Sequence, residues 1–302
     1  MPALTRLDFS LSAMFPTSGP SLSFTNLHDL TLRSKSLSPI SRLLTHSQLL
    51  AITNLTAIIN NDPSRDDLSS FLAGASSSNA GPTIEGLRLT QSLPPYGSNL
   101  GRSAALPLGF EDFWPCTTFC NIRHIEVNTQ CSVYLTNSQV LTLASAWPKL
   151  ERLLINKGWG WRSEGGITPG GLLELLHTCR SLWQIALCLD TRGYTEVPPS
   201  HVPAGIGSTL RPALSIDVVD SAVEAEAISA LATFFSGIAA CSEGFSFRAW
   251  SGVPMTWAPS IADHIQRWHD VRGRVNNALG RRLQSGGLDA SRHVTGSKGY
   301  GG

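Results

Sequence analysis

The spacing Leu-x-x-Leu-x-Leu recurs along this chain and constrains its fold more than any other feature. Six clear copies read Leu4-x-x-Leu7-x-Phe9, Leu27-x-x-Leu30-x-Leu32, Ile84-x-x-Leu87-x-Leu89, Ile122-x-x-Ile125-x-Val127, Leu150-x-x-Leu153-x-Ile155 and Leu182-x-x-Ile185-x-Leu187. Two looser copies lie around Leu214/Ile216 and Phe245/Phe247, and a faint one near Leu50/Leu55. Alternation at the last two apolar positions is the period of a short strand with one apolar face, and the first apolar residue anchors the turn into it. One such strand cannot bury its face alone. Copies must therefore stack on one another.

Helical segments precede most copies. Thr168-Pro169 opens one, with Thr to cap free N–H groups and Pro pre-set for the first helical position. Thr136-x-x-Gln139 and Ser221-x-x-Glu224 have the spacing of capping boxes, ahead of Val140/Leu143 and Ile228/Leu231/Phe234. Asp67 to Leu72 is a shorter helix candidate after Pro63. Copies starting at residues 122, 150, 182, 211 and 242 lie 28 to 32 residues apart, a length that fits one helix and one strand. The expected fold is an α/β leucine-rich-repeat solenoid, with short parallel strands on the concave side and helices on the convex side. It should occupy residues 1–279, closed by a capping helix from Ile261 to Leu279 with Ile265, Trp268, Val271 and Val275 on one side. Residues 280–302 hold seven glycines among 23 residues and almost no large apolar side chains, so a disordered tail is expected there.

Composition narrows the function. Lys plus Arg (23) nearly cancels Asp plus Glu (22), leaving a formal net charge of +1, so nothing favours nucleic acid. The longest apolar stretches, such as 227–240, are interrupted by Ser, Thr and Gly and are too short to span a bilayer, so no membrane contact is expected. The first ten residues lack the charged-then-apolar plan of a secretory signal. The six cysteines are scattered, and Cys188 and Cys179 fall where packing residues are needed, which points to reduced thiols and a cytoplasmic or nuclear protein. Cys116-x3-Cys120-x3-His124 with Cys131 is the one set with metal-ligand character. It lacks a Cys-x-x-Cys knuckle, and His124 falls on a strand, so neither metal nor cofactor is expected. No phosphate-cradling loop, nucleophile elbow or His-Glu-x-x-His motif is present, and no enzymatic activity is expected.

Strand pleating assigns the residues between the apolar positions to the concave face. These are Arg6, Asp8, Asp29, Thr31, Arg88, His124, Glu126, Arg152, Leu154, Gln184, Ala186 and Ser246. Mixed charge with a few apolar residues suits a protein partner. Trp159 and Trp161, in a glycine-rich loop, are a candidate interface anchor, unless they fold back over the edge of the repeat.

A family resemblance enters between Leu143 and Leu189. This stretch runs Trp147-Pro148-x-Leu150-x-x-Leu153, Gly158-Trp159, then Ile167-Thr168-x-x-Gly171-Leu172-Leu173-x-Leu175-Leu176-x-x-Cys179-x-x-Leu182 and Asp190. It resembles the leucine-rich-repeat region of the large fungal F-box-like protein group. Val219-Asp220-Ser221 and the ending Trp250…Trp268-x-x-Val271 are similar to that group's C-terminal end. The resemblance implies a substrate receptor of a cullin-type ubiquitin ligase, with the repeats gripping an unknown target protein. An F-box precedes the repeats in that group, whereas a repeat opens here at Leu4. Docking to a ligase adaptor is therefore expected only if an F-box lies upstream of Met1.

Overall fold

The computed structural model describes residues 4–11, 26–47, 51–78, 81–92, 107–163, 165–197, 213–250 and 261–292, with side chains to Arg281. Among these, nine strands form one sheet in strict chain order, and every neighbouring pair is parallel. They are β1 (Arg6–Leu11), β2 (Asp29–Ser34), β3 (Asn54–Ile59), β4 (Gly86–Gln91), β5 (His124–Asn128), β6 (Arg152–Ile155), β7 (Gln184–Ala186), β8 (Leu214–Asp217) and β9 (Phe245–Arg248). Parallel neighbours need a return crossover. Helices occupy most of the crossovers: α1 (Ser38–His46), α2 (Arg65–Ser77), the single turn α3 (Phe110–Phe113), α4 (Asn137–Ser145), α5 (Pro169–Thr178), α6 (Ala227–Ala239) and the terminal α7 (Ile261–Arg292). Helices adjacent in the chain pack on one another, α1 on α2, α4 on α5 and α6 on α7. The architecture is α/β and solenoid-like.

Local chemistry sets the helix starts. At α2 the Ser64 hydroxyl accepts from the Asp67 N–H at 3.1 Å, and the Asp67 carboxylate accepts from the Ser64 N–H at 3.2 Å. At α4 the Thr136 N–H donates to Gln139 Oε1 at 2.9 Å, and at α5 the Gly171 N–H donates to Thr168 Oγ1 at 3.2 Å. Ser221 departs from the expected cap. It is fully buried, accepts from the Leu189 N–H at 2.7 Å and donates to the Val218 carbonyl, so it ties the exits of β7 and β8 together. Helix α6 starts later, at Ala227.

The apolar residues align across the whole sheet. Leu7, Leu30, Leu55, Leu87, Ile125, Leu153, Ile185, Ile216 and Phe247 are successive partners from β1 to β9. The faint third copy proves to be Ile52-x-x-Leu55-x-Ala57; Leu50 lies outside the described residues. In β8 it is Ile216, not Leu214, that pairs with Ile185, a shift of two residues from the expected frame. An even shift keeps every side chain on its original face.

Sheet and helix side chains merge into one core that includes Phe71, Trp147, Leu172, Leu176, Phe234 and Phe235. Helix α7 covers the β9 end: the Trp268 ring lies 5.4 Å from Phe247 and 6.2 Å from Phe235, and its Nε1–H donates to the Ser221 carbonyl at 2.8 Å. The boundary drawn at Gly280 falls inside this helix, which continues to Arg292 through the good helix formers Arg281, Arg282, Leu283 and Gln284. Residues 293–302 lie outside the described residues. Among the described residues no helix is long and apolar enough to cross a membrane.

One buried carboxylate joins α2 to the turn before α3. Asp112 accepts from Arg65 Nε (2.9 Å), from the Gly109 N–H (2.8 Å) and from the Ser69 hydroxyl. Burial alone would push this carboxyl up, but Arg65, Ser69 and Gly109 together hold it below the ordinary carboxylate value. A depressed folded-state pKa contributes stability above the unfolded value, near 3.9, that is lost as pH falls through the folded value. Asp112→Ala is expected to cost about 2–3 kcal/mol at neutral pH, below the figure for a fully enclosed pair because Arg65 reaches solvent. Urea denaturation at pH 7 and pH 3 should show that cost shrinking in acid; an equal cost at both would refute the assignment.

Candidate functional site

The sheet face turned away from the core carries two polar rows. The first runs Arg6, Asp29, Asn54, Gly86, His124, Arg152, Gln184, Ser215 and Ser246, each the Cα partner of the next. The second runs Asp8, Thr31, Thr56, Arg88, Glu126, Leu154 and Ala186. All the residues assigned to this face by strand alternation therefore lie on it together. Between β1 and β6 the face sinks into a groove of about 240 Å³, lined by Arg6, Asp29, Asn54, Arg88, His124 and Arg152 among others.

Adjacent strands neutralise much of the charge. Arg33 grips Asp8 with two bonds of 3.1 Å, Arg88 pairs with Glu126 at 2.8 Å, and the Asn54 amide donates to Asp29 at 2.8 Å. Along the rim, Arg123 bridges Glu151 (2.5 Å) and Glu85 (3.6 Å), and His124 Nε2 lies 3.4 Å from Glu151. The hydrogen bond from Arg33 is the main influence that keeps the Asp8 carboxyl below its usual value. These partners are 25 to 38 residues apart in the chain and lie on neighbouring repeats in each case.

Two expectations need correction. Leu154 is on the predicted face but only 4% exposed, because its row continues into Ala186 and Asp217, which are also buried. The second row is closed from Leu154 to Asp217, while Ser246 and Arg248 on β9 stay exposed, and burial pushes the Asp217 carboxyl up even though its Oδ1 accepts from the Val219 N–H. Of the two readings of Trp159 and Trp161, the exposed anchor fails and the loop folding back matches: both are fully buried. Their loop is held from several sides. The Asp220 carboxylate accepts from the N–H groups of Trp161 and Arg162 at 2.8 Å each, and Trp161 Nε1–H donates to the Ile155 carbonyl at 2.9 Å. Gly160 has φ +78°, and a Cβ there would sit 2.6 Å from Asp220 Oδ2, so only glycine fits.

Three contributors were missed. Gly86 carries no side chain in the first row between Asn54 and His124; it is buried, and Asn54 Oδ1 lies 2.5 Å from where its Cβ would be. Asn54, readable in sequence only as part of an Asn-x-Thr sequon, fills the row beside it. Trp183, 39% exposed, sits at the rim with the Arg152 guanidinium 5.7 Å from its ring centre, while Arg152 Nε–H donates to Gln184 Oε1 at 2.7 Å. A large aromatic directly before a concave-face position was the signal available for Trp183.

The Cys/His set does not converge. Cys116 is buried, and burial raises its thiol to about 12; Cys131 is raised to about 11 in the same way, and its Sγ–H donates to the Pro63 carbonyl. Among the described residues no three His, Cys, Asp or Glu side chains are grouped to hold a metal. No protein-family model matches the chain, and no curated protein matches it.

Proposed function

We propose that this chain is a non-catalytic leucine-rich-repeat interaction module, the substrate-recognition region of an F-box-type ubiquitin-ligase receptor. The observation that carries the reading is the nine-stranded, in-register parallel sheet, whose open face holds a mixed-charge groove between β1 and β6. A rigid sheet pre-organises its side chains, which lowers the entropic cost of gripping a partner. The partner is a protein target, met in the cytoplasm or nucleus without nucleic acid, membrane or cofactor. The ubiquitin connection rests on the resemblance between Leu143 and Leu189 and requires an F-box upstream of Met1. The alternative is a stand-alone repeat scaffold unrelated to ubiquitin.

The test is affinity capture with the wild-type chain and with an Arg88→Glu/Glu126→Arg/Arg152→Glu variant of unchanged circular dichroism. Proteins retained by the wild type should fall at least tenfold with the variant. Undiminished capture would remove the open face from the binding function. Recovery of ligase subunits with an N-terminally extended chain, but not without it, separates the receptor from the free-standing scaffold.

A further inference from the structure

The two ends of the sheet are finished differently. Helix α7 lies over β9 and packs Trp268 against Phe247. Strand β1 pairs with β2 on one side and has no strand on the other among the described residues. The core shows through at this end. Leu30 and Leu32 on β2 are fully buried, whereas Leu7 and Phe9, their partners on β1, are only half-buried. The outer side of β1 also carries unpaired backbone groups. The Thr5 carbonyl accepts from the His28 and Asp29 N–H groups, so it points toward β2. Successive residues of a strand turn their N–H and C=O groups to opposite sides. Those of Arg6, Asp8 and Ser10 therefore point away from the sheet, a template for another strand.

Charge decides how a second β1 fits there. In an antiparallel pair, outward-pointing residues must face one another, so Arg6, Asp8 and Ser10 of one copy meet those of the other. Registers that set Arg6 against Arg6, or Asp8 against Asp8, place like charges face to face. Registers that set Ser10 against Asp8 or against itself push Arg6 past Leu11, the last residue of the partner strand. Only Arg6 against Asp8 joins opposite charges, and the two-fold axis through Leu7 repeats that pair on the other side. Asp8 already accepts from Arg33, but its side chain stays half exposed, and a carboxylate can accept about four bonds. The same register sets Leu7 against the partner's Leu7 in the close, non-hydrogen-bonded kind of pair, and Phe9 against the partner's Thr5. The half-buried end of the core is covered by that contact.

We propose that this chain associates with a second copy of itself through antiparallel pairing of the two β1 edges, with Arg6 of each protomer against the partner's Asp8. The nine-stranded sheet then continues into the partner's, and the two open faces lie side by side on one surface. This goes beyond the binding role read from the open face and does not depend on it. A six-residue edge is a small contact beside a stable dimer interface, which buries about 800 Å² on each partner. The dimer is therefore weak and forms only as the protein is concentrated.

Sedimentation velocity on the full chain, from micromolar to submillimolar protein, should show a monomer–dimer equilibrium. Arg6→Asp and Asp8→Arg each place like charges in both pairs and should weaken self-association at least tenfold. An equimolar mixture of the two variants should regain the dimer, because each then offers the other an opposite charge at both positions. A merely structural role for either residue would not produce that recovery. Circular dichroism reports whether the variants fold; if Asp8→Arg does not, the wild type and Arg6→Asp carry the test alone. A wild type that stays monomeric throughout would overturn the proposal and leave the edge to a strand of a different protein. A dimer indifferent to both substitutions would place self-association on another surface and overturn it as well. Loss in both variants without recovery on mixing would overturn the register and the pairing with it.

Discussion

Trp161→Ala is expected to lower the folding free energy by about 3–5 kcal/mol, the range for deleting a fully buried aromatic side chain. The residue does more than fill space. Its indole N–H satisfies the Ile155 carbonyl at the end of β6, and alanine leaves that carbonyl without its bond. The backbone N–H of the same residue reaches the half-buried Asp220, so a collapse of the loop around the missing ring would also disturb that carboxylate. Urea denaturation followed by circular dichroism measures the loss. Trp161→Phe, which keeps most of the ring and removes the hydrogen bond, should cost a smaller amount, about 1–3 kcal/mol. A loss below about 1 kcal/mol for the alanine variant would show that the loop is not packed into the body of the protein.

Leu153→Ala should cost about 2–5 kcal/mol. Leu153 is fully buried on β6, between Ile125 of β5 and Ile185 of β7, so its removal opens a cavity against two neighbouring repeats at once. Leu7 occupies the same position on β1, where it has a sheet neighbour on one side only and is half-buried. Leu7→Ala should therefore cost clearly less. Equal costs at the two positions, measured in the same denaturant series, would contradict a stack whose end units are less supported than its middle.

The strands were legible because their period is local. An apolar residue every second position marks a face wherever it occurs, and six copies were plain. The third strand was obscured because its last core position is Ala57, too small to register as apolar pattern, and because Leu50 offers a false start. The β8 frame slipped by two residues since Leu214, Ile216 and Val218 are all apolar and alternate equally well in either frame. Helix α1 was missed: Ser38-Pro39-Ile40 reads as a turn until its buried partners on α2 are known.

The site was legible in membership but not in state. Alternation placed Arg88, Glu126, Arg152 and their neighbours on one face. It could not show that Arg88 and Glu126 satisfy each other, because that depends on pairing between segments more than thirty residues apart. The tryptophan loop is the extreme case. What holds the Trp161 backbone in place is a carboxylate 59 residues further along the chain, and no local pattern announces it. Leu154 was misjudged for a related reason, since its exposure is decided by how the neighbouring strands close that end of the row.

The strict chain order of the strands also makes the open face a gauge. Each repeat contributes one step of about 4.8 Å to the separation of any two side chains in a row. Duplication or loss of a single unit between β1 and β6 would leave the interior of every other unit intact, yet would move Arg6 relative to Arg152 by that one step. That step equals about one and a half residues of extended chain. In a chain built this way, the number of units sets the separation of side chains along the open face, and the side chains set its chemistry.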